Sequence, residues 1–227
     1  MPPSLVAVAE REEPLCQLPA PLPLAEWLSG ERPWEVELGF GKGRYLLRRA
    51  QGEPQGRFLG IEVVSRYYRL VRRRMVRRGI DNLVLLRGEA LYLLATALPR
   101  GIASAVHVYF PDPWPKSRHQ KRRLFEADTV DLVLGLLAPG GRLFFATDFT
   151  EYGGRVTELL AGHPGLELSR PARWPEGPRT NYEMKYEHEG RPIVRLEARC
   201  PAAAGLHPAG RPAVVAATAR DAAEEDR

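Results

Sequence analysis

The chain has 227 residues, of which 44% are hydrophobic, so its length suits one α/β domain with tails or two small domains. Lys and Arg outnumber Asp and Glu by 33 to 28, and the net charge of +5 favours an anionic partner such as a nucleic acid. Cys16 and Cys200 lie far apart, so we expect no disulfide framework and a cytoplasmic setting. No apolar run suits a membrane helix, no signal peptide is evident, and the histidines lack metal-ligand spacing, so we expect neither membrane nor metal.

The two ends of the chain differ in composition from its centre. Residues 1–33 are rich in proline, which predicts an extended N-terminal arm, because proline interrupts helices. Residues 200–227 are rich in Ala, Pro and Gly and end in a charged run, which predicts a disordered tail. We therefore expect one folded domain at residues 34–199.

Strands and helices alternate within this domain. The hydrophobic pattern predicts strands at 34–38, 57–61, 83–86, 103–109, 142–146 and 193–198, and helices at 44–50, 65–78, 91–98, 124–137 and 151–161. Gly79 and Pro99 supply helix ends, and Pro139-Gly140-Gly141 predicts a turn. The alternation implies βαβ units and a mostly parallel sheet, whose ligands bind at the carboxyl ends of the strands.

A glycine loop follows the first predicted strand and opens a helix. It reads Glu37-Leu-Gly39-Phe-Gly41-Lys-Gly43, and Glu62 closes the next strand, where a carboxylate can accept from ribose hydroxyls. A dinucleotide site prefers GxGxxG, and an acid directly before the loop would repel a pyrophosphate. The same acid suits the cationic amino group of S-adenosylmethionine, which we therefore prefer as the ligand.

Phe110-Pro-Asp112-Pro-Trp114-Pro-Lys116 follows the fourth strand, and its three prolines restrict the backbone. A carboxylate beside an aromatic ring suits a nucleobase, since adjacent N–H groups of guanine match one carboxylate and the ring can stack. Arg118 to Arg123 follow directly, and their dense positive charge predicts a phosphate contact. A second basic block, Arg66 to Arg78, reads as a solvated helix face or as an auxiliary RNA contact.

These segments, with Gly60-Ile-Glu62, Ala146-Thr-Asp148 and Thr180-Asn-Tyr-Glu183, resemble the bacterial tRNA (guanine-N7-)-methyltransferases over roughly residues 34–198. The resemblance implies a class I S-adenosylmethionine-dependent methyltransferase: a Rossmann-like α/β fold whose mostly parallel, seven-stranded sheet is flanked by helices. It also implies methylation of N7 of the variable-loop guanine of tRNA (position 46), with S-adenosylhomocysteine as the second product.

The resemblance also implies a set of site residues. Asp112 would be the catalytic position and would line the cofactor site, together with Glu37, Gly39, Gly41, Gly43, Glu62 and Glu89. Substrate would be bound by Lys116, Asp148, Thr180, Asn181, Tyr182 and Glu183, and RNA would contact Arg118, His119, Lys121, Arg122 and Arg123. One departure is visible, because Glu89 stands where the family more often has Asp or Asn.

Three other functions compete with this interpretation. An amino-methyltransferase acting on adenine or cytosine would use a similar Asp-Pro-aromatic loop, but the basic run after Lys116 and the segment 180–183 favour guanine. A non-catalytic RNA-binding protein would not need the acids at 37, 62 and 112. A nicotinamide dehydrogenase is disfavoured by the spacing of the glycines.

Overall fold

The computed structural model describes residues 28, 30, 32–114, 116, 118 and 123–201. Most of the predicted arm, the tail after residue 201, and the basic residues His119, Lys121 and Arg122 lie outside this part of the chain. None of the described helices combines the length and apolarity needed to cross a membrane.

Among the described residues, seven strands form one sheet in the order β3-β2-β1-β4-β5-β7-β6. The strands are β1 (Trp34–Leu38), β2 (Phe58–Glu62), β3 (Leu83–Arg87), β4 (Ala103–Tyr109), β5 (Leu137–Thr147), β6 (Glu167–Ser169) and β7 (Val194–Arg199). The pairs among the first five strands are parallel, and β7 is antiparallel to both β5 and β6. The strand order reverses between β1 and β4, which is where ligands of such sheets bind.

The described part of the chain contains six helices: α1 (Arg44–Gly52), α2 (Ser65–Arg77), α3 (Ala90–Thr96), α4 (Val130–Leu134), α5 (Thr150–Gly162) and α6 (Asn181–His188). Buried residues of α1 and α2, such as Leu46 and Val71, pack on one face against Phe58 and Leu85. Apolar residues of α3, α4 and α5 pack on the opposite face in a second cluster with the alternate residues of the strands. The central strands therefore bury both faces, as expected for a parallel sheet.

The predicted helix at 124–137 is wrong over most of its length, since α4 spans only Val130–Leu134. The Thr129 hydroxyl accepts from the Glu126 N–H at 3.0 Å and donates to the Leu124 carbonyl at 3.0 Å. These side-chain bonds replace helical backbone bonds, which is how Thr competes with a helix. The apolar spacing instead reflects an irregular segment whose Phe125 is fully buried.

Three smaller differences concern the C-terminal half. The strand β6 and the helix α6 were not predicted, and β5 begins at Leu137 rather than at residue 142. The predicted turn at 139–141 lies inside β5, where the pairing with β4 shifts from Ala103–Leu137 to Ala105–Arg142. Gly140, with φ of 78°, allows this irregularity.

Candidate active site

The glycine loop joins β1 to α1 and turns on three left-handed residues. Gly39, Gly41 and Gly43 have φ values of 75°, 50° and 67°, which residues with a Cβ rarely adopt. A Cβ on Gly43 would lie 2.6 Å from Cγ2 of Val71, whereas one on Gly39 or Gly41 would meet nothing within 4 Å. Gly43 thus lets the loop pack on α2, and the first two glycines border open space where a ligand can approach the backbone.

Glu37 lies on β1, two residues before this loop, and is 3% exposed. Its Oε2 is buried without a hydrogen-bond partner among the described residues. Burial raises the pKa of this carboxyl well above its usual value, and the charges of Glu35 and Glu62 act in the same direction, against one backbone hydrogen bond from Leu46. An unpaired buried acceptor beside a glycine loop is suited to a cationic ligand group.

Glu62 ends β2 and connects the glycine loop to the start of α2. Its Oε2 accepts from the Gly41 N–H and its Oε1 from the Val64 N–H, both at 2.8 Å. Burial raises the pKa of Glu62 against backbone hydrogen bonds from Val64, Gly41 and Val63, and the charge of Asp112 adds to the upward shift. With three backbone N–H donors on this carboxylate, one of its about four lone-pair positions is left for a ligand hydroxyl.

Glu89 caps helix α3 at the end of the neighbouring strand. Its Oε1 accepts from the Leu91 N–H at 3.1 Å and its Oε2 from the Tyr92 N–H at 2.7 Å. This bonding satisfies helix N–H groups that have no partner within the helix. Glu89 therefore has a structural role in addition to the cofactor contact predicted for it.

The proline loop after β4 contains strained backbone. Phe110 and Trp114 have φ values of 52° and 39° and are the only non-glycine residues with positive φ in the described chain. Such conformations cost about 1–3 kcal/mol each and persist only where the surroundings enforce them. The Phe110 N–H donates to the Ala146 carbonyl at 2.7 Å, and Asp112 is exposed between the two strained residues.

Arg123 is fully buried and binds the backbone of the proline loop. Its Nε donates to the Pro113 carbonyl at 2.6 Å, its Nη2 lies 3.5 Å from the Trp114 carbonyl, and its guanidinium lies over the Tyr152 ring. Arg123 therefore has a structural role in this loop, and its predicted contact with RNA stays a prediction. Lys116, predicted to bind substrate, and Arg118, predicted to contact RNA, are exposed.

The segment 180–183 begins helix α6. The Thr180 Oγ1 accepts from the Glu183 N–H at 3.0 Å. Glu183 is fully buried, and its two oxygens accept from the Arg179 N–H and from Arg195 Nε, both at 2.7 Å. Glu183 therefore holds the first turn of α6 in place, and its predicted contact with substrate stays a prediction. The Thr-x-x-Glu spacing is a capping-box signature and could have predicted this helix.

The exposed residues of this turn face the proline loop. The Tyr182 ring lies 6.2 Å from the Phe110 ring between centroids, and Tyr182 shares a side-chain hydrogen bond with Tyr67. Burial raises the pKa of Tyr182, to which the nearby charge of Asp112 also contributes. Asn181 is exposed beside it. Tyr182 therefore packs near Phe110, at the start of the proline loop that carries Asp112.

Asp148 follows β5 and lies at the outer side of the same group. Its Oδ2 accepts from Arg191 Nη1 at 3.3 Å. Burial raises the pKa of Tyr186, and the charge of Asp148 contributes to the shift, while the Tyr186 ring packs edge-on against Phe110 at 5.4 Å. Tyr186 thus contacts Phe110 of the proline loop and is affected by the charge of Asp148.

A buried polar network links the substrate segment to the cofactor half of the site, and the sequence analysis missed it. Arg179 Nη1 donates to the Tyr109 hydroxyl at 2.6 Å, which lies 2.8 Å from His107 Nδ1. His107 Nε2 lies 3.2 Å from Glu35 Oε1, and Arg49 binds both Glu35 oxygens, at 2.9 and 2.8 Å. The sequence signal was polar residues at every second position of two buried strands.

Comparison with known proteins agrees with this arrangement. The methyltransferase family model Methyltransf_4 matches residues 31–196. A tRNA (guanine-N(7)-)-methyltransferase of Nitrosococcus oceani is 35% identical, with 78% of this chain and 75% of the relative covered. Those of Geobacter metallireducens and Treponema pallidum are 35% and 38% identical, covering 81% and 72% of this chain and 89% and 66% of the relatives. The chain therefore belongs to the tRNA (guanine-N7-)-methyltransferase family.

Solved structures support the fold. A methyltransferase from Aquifex aeolicus described as SAM-dependent has a TM-score of 0.52 at 12% identity, covering 86% of this chain and 98% of the other. A variant of a 16S rRNA (adenine(1408)-N(1))-methyltransferase from Catenulisporales acidiphilia has a TM-score of 0.52 at 20% identity, covering 78% and 89%. Together with the strand order, these structures confirm the class I methyltransferase fold predicted from the sequence.

Proposed function

We propose that this family member transfers a methyl group from S-adenosylmethionine to N7 of the variable-loop guanine of tRNA, in the cytoplasm, within the domain at 34–199. The observation that carries the proposal is the position of Asp112. It lies on a strained loop held by Arg123, and its charge contributes to the raised pKa values of Glu62, beside the glycine loop, and of Tyr182, in the family's substrate segment. One acid is therefore electrostatically coupled to both parts of the candidate site.

The residues around the glycine loop fit the cofactor. The unpaired Oε2 of Glu37 matches a cationic amino group, the open space at Gly39 and Gly41 admits a close ligand, and Glu62 can accept from a ribose hydroxyl. The remaining lone pairs of Glu89 can accept from an adenine amine. When bound, S-adenosylmethionine supplies an electrophilic methyl group on a sulfonium.

Methyl transfer to guanine N7 needs orientation rather than proton removal, because N7 has an in-plane lone pair and no proton. The role of Asp112 is then to accept from the guanine N–H edge, whose acidity rises as the base becomes cationic. Such a bond strengthens toward the transition state and raises kcat. Tyr182 offers a stacking surface and Asn181 an amide beside it. Lys116 and Arg118 are exposed and available to RNA, while Asp148, predicted to bind substrate, is half-buried and paired with Arg191.

The proposal is tested with labelled S-adenosylmethionine and an unmodified tRNA transcript, followed by nucleoside analysis and mapping of the product. We expect 7-methylguanosine at the variable loop, and none in a transcript whose variable-loop guanine is replaced by adenosine. Methylated adenine or cytosine would favour the amino-methyltransferase alternative. No transfer together with intact tRNA binding would favour the non-catalytic one.

The role of Asp112 is tested by Asp112→Asn, which keeps the shape of the side chain and removes its charge. We expect kcat to fall by about 100-fold or more, with binding of S-adenosylhomocysteine and tRNA close to wild type. Asp128→Asn, at an exposed turn, is the matched control and should leave kcat unchanged. A kcat near wild type for Asp112→Asn would contradict the assigned role.

A further inference from the structure

Helix α2 has an unusual charge composition for a solvent-facing helix. Its 13 residues, Ser65–Arg77, contain six arginines and no acidic residue. Four exposed members recur at spacings of three and four, opposite the buried Tyr68 and Val71. We call these four residues the arginine stripe: Arg66, Arg69, Arg73 and Arg77. The spacing places them on one face of the helix.

The arginine stripe opposes the stability of the helix that carries it. Arg69 and Arg73, and Arg73 and Arg77, are like-charged pairs four residues apart, which destabilise a helix. Arg66 stands at the positive end of the helix dipole. Within the described residues no ion pair involves the stripe, whereas exposed arginines elsewhere, such as Arg155, pair with an acid. A solvated face usually mixes both signs, so this one is suited to an external polyanion.

The arginine stripe is continuous with the candidate active site. The Arg66 guanidinium donates to the Tyr67 hydroxyl at 2.9 Å, and Tyr67 shares a hydrogen bond with Tyr182 beside Asp112. At 1.5 Å per residue the stripe extends for roughly 16 Å away from the site. A stripe of this length can contact several successive phosphates of one strand.

We propose that the arginine stripe binds the phosphate backbone of the tRNA and extends the RNA interface from the reaction site along α2. This inference rests on the proposed function and adds a surface to it. Guanidinium groups carry a permanent positive charge and can bind phosphate oxygens in a bidentate manner. A row of arginines is therefore suited to a phosphate backbone. Because the stripe is remote from the reacting base, it contributes affinity for RNA and leaves the chemical step unchanged.

The test compares two triple variants that lose the same charge. Arg69→Gln/Arg73→Gln/Arg77→Gln removes three stripe residues, with Gln chosen because its helix propensity is close to that of Arg. The control changes three exposed arginines around β4, β5 and β7 to Gln: Arg100, Arg142 and Arg199. Affinity for tRNA is measured at several salt concentrations, together with kcat and KM, thermal stability and binding of S-adenosylhomocysteine.

We expect the stripe variant to bind tRNA about tenfold more weakly or worse and to lose about two to three units of the slope of log K against log salt. Its kcat at saturating tRNA should equal that of the control. A Lys version of the stripe variant should retain most of the slope, because it retains the charge.

Every other outcome contradicts either this inference or the proposed function on which it rests. Equal affinities and slopes for the stripe and control variants would overturn the inference, as would a Lys version that loses binding as fully as the Gln version. Loss of binding to anionic phosphatidylserine vesicles with tRNA affinity intact would assign the stripe to a membrane instead. A wild-type protein that neither binds nor methylates tRNA would overturn the proposed function itself.

Discussion

Glu37→Gln is expected to stabilise the ligand-free protein and to weaken cofactor binding at the same time. The carboxylate is buried, its Oε2 has no partner among the described residues, and burial raises its pKa. A group whose pKa is raised on folding loses its favourable contribution as the pH rises through the folded pKa. The Glu37→Gln protein should therefore be more stable than wild type at neutral and alkaline pH, and this difference should vanish in acid, where Glu37 is protonated.

The magnitude follows from the burial of one unpaired charged atom, which costs about 1–3 kcal/mol or more. Since the amide is also incompletely paired, we expect a net gain of about 1–2 kcal/mol, which raises Tm by roughly 2–8 °C in a domain of this size. A hydrogen bond to a charged group contributes about 1.5–3 kcal/mol, so affinity for S-adenosylhomocysteine should fall about 10- to 100-fold.

The assay combines thermal unfolding across pH with calorimetry of two ligands. The affinity for 5′-methylthioadenosine, which lacks the amino acid part, should be unaffected by Glu37→Gln. Glu35→Gln is the matched variant on the same strand face: its carboxylate binds Arg49 and lies beside His107, and these contacts lower the pKa of Glu35 despite its burial. The free energy of unfolding of the Glu35→Gln protein should fall by about 2 kcal/mol at neutral pH, which is opposite in sign to the effect of Glu37→Gln.

Two outcomes would refute this reasoning. The first is a Glu37→Gln protein that unfolds at a lower temperature than wild type at neutral pH. The second is an unchanged affinity for S-adenosylhomocysteine, which would show that the unpaired oxygen does not face the amino group of the ligand.

Three further predictions concern stability. Arg123→Gln should lower the free energy of unfolding by about 3 kcal/mol or more, because the loop carbonyl that accepts from Arg123 is left without its donor in a buried site. An unchanged urea unfolding curve would contradict this. Gly43→Ala should destabilise more than Gly39→Ala, because only the Cβ at 43 meets a neighbour, Val71, at 2.6 Å; equal Tm losses would contradict it. Burial lowers the pKa of His107, so the unfolded state binds more protons at this residue, whereas Glu37 and Glu62, whose pKa values are raised, act in the opposite direction. The Tm of wild type relative to a His107→Gln variant should therefore fall as the pH drops below about 6.5; a Tm difference that stays constant from pH 7 to 5 would contradict it.

The sequence by itself determined the alternation of strands and helices and the place of the glycine loop, because both depend on local signals. Residues 34–38 and 103–109 were predicted with the bounds that the strands have. Hydrophobic period, Gly and Pro act over a few residues, and they are readable wherever the local pattern and the tertiary environment agree. The acids at the ends of β1 and β2 follow from the same local reasoning.

Only the tertiary structure decided which charged residues are enclosed. Arg123 was predicted to contact RNA and Glu183 to bind substrate, as suits charged side chains, which are usually exposed. Both are buried in the folded protein. The network from Arg179 to Glu35 joins segments about 140 residues apart, and no local pattern specifies such a pairing. The sequence therefore determined where the ligand-binding edge lies, and packing determined which of its charged residues face the ligands and which hold the edge in place.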